Sequence, residues 1–137
     1  MGLTRVSPEE ARELMEKDGY VYVDVRSIPE FEAGHPEGAY NVPLAHMRPQ
    51  GMAPNTEFLN VMEKRFGKGA KIVVGCKSGG RSLQAATVLL SSGFADVIDQ
   101  RAGFLGATEP GWAPAGLPTT KDAPADHTYA GLGGKTK

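Results

Sequence analysis

The stretch that most constrains this chain is Lys71-Ile72-Val73-Val74-Gly75, followed at once by Cys76, a glycine pair and a long helical run. A strand with one wet face alternates polar and apolar residues. A strand without alternation is covered on both faces, as in a parallel sheet. Around it, Ser7-Pro8-Glu9-Glu10 reads as a helix start, with a capping serine, a proline suited to the first turn and Glu10 completing a capping box. Ala11, Leu14 and Met15 follow at helical spacing up to Gly19. Tyr20 to Val25 is aromatic and β-branched, hence a strand. Gly34 to Gly38 is a turn region, Ala39 to Val42 a short strand, and Pro43 to Pro54 a Pro-rich excursion. The spacing predicts a helix over 55–66, with Phe58, Leu59, Met62 and Phe66 on one face. A second is predicted over 82–92, with a stripe of Leu83, Ala86, Thr87 and Leu90, and Val97-Ile98 reads as another strand. Alternating strands and helices define an α/β fold with a mostly parallel sheet. In such sheets ligands bind beyond the carboxyl ends of the strands, which is where Cys76 stands.

The segment Cys76-Lys77-Ser78-Gly79-Gly80-Arg81-Ser82 has the chemistry of an anion cradle. Glycines let the backbone curl so that successive N–H groups point inward, and the helix N-terminus behind them favours negative charge. Lys77 and Arg81 add full charges, and Arg81 is suited to a bidentate grip on an oxyanion. Cysteines in such fields have pKa values lowered into a range of about 3.5–7.5. Cys76 and Arg81 are therefore the candidate catalytic residues, with Lys77, Ser78, Gly79, Gly80 and Ser82 as candidate substrate-binding residues. The blander readings stand beside these. A lone cysteine is often only a small buried hydrophobe, Lys77 could be merely solvated, and Ser82 reads best as the helix N-cap. His35 sits in a glycine-flanked turn and reads as a hydrogen-bonded structural histidine. Asn41 reads as a residue fixing a loop by side-chain-to-backbone bonds.

Composition removes several other classes. One cysteine permits no internal disulfide and no Cys-rich zinc site, and the three histidines are widely spaced, so neither a metal nor another cofactor is expected. Lys+Arg number 15 against 16 Asp+Glu, with no charged stripe to suggest nucleic acid or a membrane surface. With 40% hydrophobic residues in 137, one domain can bury a core of its own. The segment MGLTRVSPEEARELM carries no apolar signal region, and Gly2 lacks the pattern for myristoylation, so a cytoplasmic protein is expected. From Pro118 onward the chain becomes rich in Thr, Lys, Asp, Ala, Pro and Gly. Residues 119–137 are expected to be a mobile or loosely docked tail to a 1–118 domain, with Tyr129 and Leu132 as its large apolar handles.

The ordered set of motifs resembles the single-domain rhodaneses. It runs Asp24-Val25-Arg26, Glu30-Phe31, Gly34-His35-Pro36-Glu37-Gly38-Ala39, Asn41-Val42-Pro43, Cys76 to Ser82, Gly93-Phe94 and Gly103-Phe104. Gly111-Trp112 and Gly116-Leu117-Pro118 complete it. The Pro36-Glu37 pair departs from the family's usual Ile-Pro, and Ala107 to Gly111 is longer than in the shortest members. The resemblance implies a rhodanese-like fold, a central mostly parallel sheet of about five strands with helices on both faces. It implies a thiosulfate sulfurtransferase carrying sulfur as a Cys76 persulfide. The donor would be a small sulfur anion such as thiosulfate, and the acceptor cyanide, a thiol or a protein. Asp24, Arg26 and Glu30 would be structural residues near the site, Asp24 and Arg26 as an ion pair that Glu30 joins. Trp112 would be a lid over the C-terminal core, and Phe104 a residue of the pocket mouth.

Two alternatives share the architecture. A Cys-dependent phosphatase or arsenate reductase would have five residues between Cys and Arg, whereas four stand here. A non-enzymatic rhodanese-like interaction or regulatory module would be signalled by loss of the cysteine, and Cys76 is present.

Overall fold

A computed structural model describes residues 3–134. Its elements run β1 (Thr4–Val6), α1 (Pro8–Lys17), β2 (Val21–Asp24), α2 (Ile28–Ala33), β3 (His35–Pro36), β4 (Tyr40–Asn41), β5 (Ala45–Arg48) and β6 (Gly51–Pro54). They continue with α3 (Phe58–Arg65), β7 (Lys71–Gly75), α4 (Gly80–Ser91), β8 (Asp96–Gln100) and β9 (Thr119–Thr120), then a 3₁₀ turn, Ala125–His127. The central sheet has five strands in the order β1-β8-β7-β2-β4, every neighbouring pair parallel. The apolar β7 lies in the middle, with Val73 facing Tyr22 on one side and Ile98 on the other.

Strand alternation sorts the core onto two faces. Val23, Val25, Ile72, Val74 and Cys76 pack with Phe58, Val61 and Met62 of α3 and Ala85, Ala86 and Leu89 of α4. Tyr22 and Val73 point the other way, toward Ala11 of α1, Phe31 of α2 and Trp112. Ile72 and Val74 are fully buried, and each such burial contributes roughly 1.5–3 kcal/mol. The Ser7–Glu10 capping box opens α1.

Four expectations change. The buried stripe of α4 is Ser82, Ala85, Ala86 and Leu89, while Leu83 and Thr87 face solvent. Small residues let this helix lie close on the sheet, and close approach rather than bulk decided its rotation. Gly79 in left-handed conformation is its N-cap, so Ser82 lies one turn inside the helix and is not the cap. The excursion 43–54 contains a β5–β6 hairpin. The stretch after Pro118 is packed rather than loosely docked. β9 pairs antiparallel with β3, and Tyr129 and Leu132 are buried in the α3/α4-face core. The Asn55 amide donates to the Tyr129 hydroxyl at 2.9 Å, so the tyrosine brings both ring area and a satisfied polar tip. The remainder of the expected tail, 135–137, lies outside the described residues.

Candidate active site

Cys76 is the first residue beyond β7 and is 2% exposed. The loop folds back over it, and the Gly79 N–H donates to Sγ at 3.1 Å. Gly79 has φ +109°, a conformation glycine takes without strain, and a side chain there would collide with the Arg101 carbonyl. Ser82 Oγ lies 3.6 Å from Sγ and donates to the Gly79 carbonyl at 3.3 Å. The N-terminus of α4, twelve residues long, opens directly beside the sulfur. The Gly79 N–H and the N-terminus of α4 thus face the sulfur, while the Ser82 hydroxyl accepts from it and gives its own proton to the Gly79 carbonyl.

The loop is supported from outside by 103–106. Phe104 N–H donates to the Cys76 carbonyl at 2.7 Å, and Leu105 and Gly106 N–H groups donate to the Lys77 carbonyl at 3.0 and 3.1 Å. Gly103, at φ +76°, has room for a hydrogen only, because a Cβ would strike the Lys77 backbone. Gln100 sets this segment, its Oε1 accepting from the N–H groups of Ala102 and Gly103. Its amide nitrogen donates to the Gly103 carbonyl and the buried Tyr22 hydroxyl. Burial, and then the Asp24 charge, push the Tyr22 phenol well above its ordinary value, so it stays neutral beside the site.

The charged residues divide into two pairs. Asp24 accepts from the backbone N–H of Arg26 and from its guanidinium at 2.7–3.0 Å, and both residues are buried. Arg26 also donates to the Gly34 carbonyl and stacks on Phe104, 4.4 Å from the ring centroid. Asn41 donates to the carbonyls of Asp24 and Arg26, tying β4 to this corner. Glu30, expected beside Asp24 and Arg26, pairs instead with Arg81 across the loop, in two hydrogen bonds of 2.8 and 3.0 Å. The α2 capping box aims it there, Ser27 supplying N–H and hydroxyl donors to Oε1. Burial by itself would raise the Glu30 carboxyl, but the bonds from Arg81 and Ser27 overcome it and hold it at about 2. The Glu30 hydrogen bond, against the opposing effect of burial, raises Arg81 in turn.

Gly79 and Ser82 thus meet the sulfur directly, whereas Arg81 is committed to Glu30. The side chains of Lys77 and Ser78 face outward, and Gly80 is exposed as the first residue of α4. Lys77 borders a 320 Å³ cavity with Arg26, Glu30, Gly34, Phe104 and Leu105. His35 is not in the loop. It is buried, stacked on Phe31 at 3.7 Å, with its ring nitrogens against the carbonyls of Phe31 and Asp122. Trp112 is buried edge-on against Tyr22, and its indole N–H donates to the Pro118 carbonyl at 2.6 Å. The sequence reading missed Gln100, Arg5 and Asp99. Asp99 and Gln100 carried a signal, two polar residues closing β8 after the apolar Val97-Ile98, whereas Arg5 in the middle of β1 carried none.

A buried cysteine that accepts the Gly79 N–H just beyond the carboxyl edge of the central strand of a five-stranded parallel sheet defines the class of α/β fold to which this chain belongs. Residues 7–109 match the family model described as rhodanese-like domain, and the chain belongs to that family. Among its relatives is thiosulfate sulfurtransferase 16, chloroplastic, of Arabidopsis thaliana, 45% identical over 101 residues, covering 74% of this chain and 80% of that protein. Another is rhodanese-like domain-containing protein 15, chloroplastic, of the same plant. It is 42% identical over 106 residues, covering 77% of this chain, which spans 58% of that protein's length. The crystal structure of Rv0390 from M. tuberculosis superposes with a TM-score of 0.76 at 26% identity, covering 89% of this chain and all of that one.

These relatives correct the cytoplasmic expectation, because both plant proteins are chloroplastic. The missing apolar segment on which it rested bears on secretory signals only. Plastid transit peptides are Ser- and Arg-rich and need no such segment.

Proposed function

We propose that the protein is a thiosulfate sulfurtransferase that carries sulfur as a Cys76 persulfide. Membership of the rhodanese-like family and a relative named as a thiosulfate sulfurtransferase support sulfur transfer in general. The observation that carries the finer reading is the 3.1 Å donation from Gly79 N–H to Sγ at the mouth of α4. In the first step the Cys76 thiolate attacks the outer sulfur of thiosulfate. A new S–S bond forms, the S–S bond of the donor breaks, and sulfite leaves with the electron pair. In the second step cyanide or a thiolate attacks the outer sulfur of the persulfide, and Cys76 departs as thiolate. No proton has to move if the thiolate is already formed, and two transfers replace one harder exchange. The loop donors stabilise charge on the sulfur through both steps. Sulfite's departing charge falls to Arg81, released from Glu30, and to Lys77 at the rim. The burial of Cys76, 2% exposed, suits attack on a slender terminal sulfur.

Intact mass after incubation with thiosulfate under non-reducing conditions tests this. One added sulfur atom is expected in the wild type, discharged by cyanide or a thiol, and none in Cys76→Ala. A wild type that stays unmodified while Cys76 remains alkylatable would sink thiosulfate as the donor.

A further inference from the structure

We propose that Arg5 is a positioning residue for Cys76, gripping the carbonyl of Gly79 whose N–H serves the sulfur. The inference rests on the reading of Cys76 as nucleophile. Arg5 lies on β1, directly opposite Asp99 of β8 in the sheet register. Its Nε donates to Asp99 Oδ2 at 2.6 Å, and its Nη2 reaches the Gly79 carbonyl at 3.5 Å. Asp99 is fully buried, and its second oxygen, Oδ1, has no hydrogen-bond partner among the described residues. A buried carboxylate so placed is costly unless a cation compensates it. Here the compensating cation is a fork, one arm on the carboxylate and the other on the catalytic loop.

The second arm matters because the Gly79 carbonyl competes with the sulfur for one donor, the Ser82 hydroxyl. It accepts from the Leu83 N–H at 3.1 Å and from the Ser82 hydroxyl at 3.3 Å. Ser82 has one proton and two claimants. While Cys76 is a thiol, its S–H can point to Ser82 Oγ, and the Ser82 proton stays on the Gly79 carbonyl. Once Sγ is a thiolate, the Ser82 proton turns to it, and the carbonyl gives up a donor. Arg5 remains on that carbonyl in both states, so the turn leaves no buried oxygen short of support. The other charged groups facing this network are few. Arg101 and Glu109 line a 330 Å³ cavity with Arg5 and Ser78, and Glu10 reaches Arg101 from α1. Around the sulfur stand Arg81 of α4 and, from β2, Tyr22 and Asp24.

The test is the pH dependence of Cys76 alkylation, unambiguous because this is the sole cysteine. Lysine at position 5 keeps the charge opposite Asp99 but has no second arm. Arg5→Lys should therefore move the midpoint of the alkylation profile upward. Arg5→Met/Asp99→Asn removes both charges at once and should raise it as well, so the outcome stands even if the lysine variant fails to fold. In a Ser82→Ala background the Arg5→Lys shift should vanish. Arg101→Met, which removes a neighbouring cation without touching the Gly79 carbonyl, should leave the midpoint in place. A folded Arg5→Lys or double variant titrating at the wild-type midpoint would overturn the proposal, as would an equal shift in Arg101→Met. Persulfide formation by the wild type is scored separately, so failure of the sulfur-carrier reading is distinguishable from failure of this one.

Discussion

Two arginine–carboxylate pairs flank the sulfur, and they differ chiefly in depth. The Asp24–Arg26 side chains are 2% and 5% exposed, and those of Glu30–Arg81 are 20% and 25%. The deeper pair is wired into its surroundings through Gly34, Asn41 and the Phe104 ring, so neither partner can turn away without stranding a charge. The shallower pair has water at hand to replace either partner. Identical chemistry therefore serves two ends. One pair anchors the turn after β2, and the other, on the function proposed above, would keep a guanidinium ready beside the loop.

The comparison can be broken by removing one charge at a time. Asp24→Asn leaves Arg26 buried without its counter-charge and should lower stability by about 3–5 kcal/mol, measured by urea unfolding. Arg81→Met should leave stability within about 1 kcal/mol. It should lower kcat/KM for thiosulfate on the order of 100-fold, if this guanidinium receives the departing sulfite. A loss of stability without loss of rate would reverse the assignment of the two pairs. Glu30→Gln should move KM for thiosulfate downward, within about fivefold, because Arg81 loses a competing carboxylate. Acid titration sharpens the last case. Glu30 is held at about 2 against an ordinary 4.5, so its contribution to stability is present above about 4.5 and is lost as pH falls toward 2. The stability gap between wild type and Glu30→Gln should accordingly close over that window in pH-dependent melts.

Much of the frame was legible because it rests on local rules. The uninterrupted apolar run at 71–75 placed the central strand, Ser7 to Glu10 placed α1, and the glycine pair placed the loop. What was not legible depends on partners far along the chain. Ser27, Pro29 and Glu30 carry a helix-start pattern, yet nothing local says that Glu30 would reach Arg81, fifty-one residues away. The α4 stripe was misread because the periodic rule rewards large residues, and Leu83 was counted where Ser82 and Ala85 were buried. The segment after Pro118 looked polar and turn-rich, and its few apolar residues gave no hint of the Asn55 and His35 contacts that seat it.

The parallel pairing of β1 with β8 has a consequence for how the molecule is made. Arg5 leaves the ribosome 94 residues ahead of Asp99, and among the described residues β1 has no other partner in the sheet. Within this domain β1 must wait for β8, a long-range pairing of the kind that slows folding. Tyr129 and Leu132, which close the core beside α3, arrive later still. A nascent chain can thus expose its cysteine before the fold is able to enclose it, and chaperone shielding over that interval would matter more here than for a helical bundle of the same length.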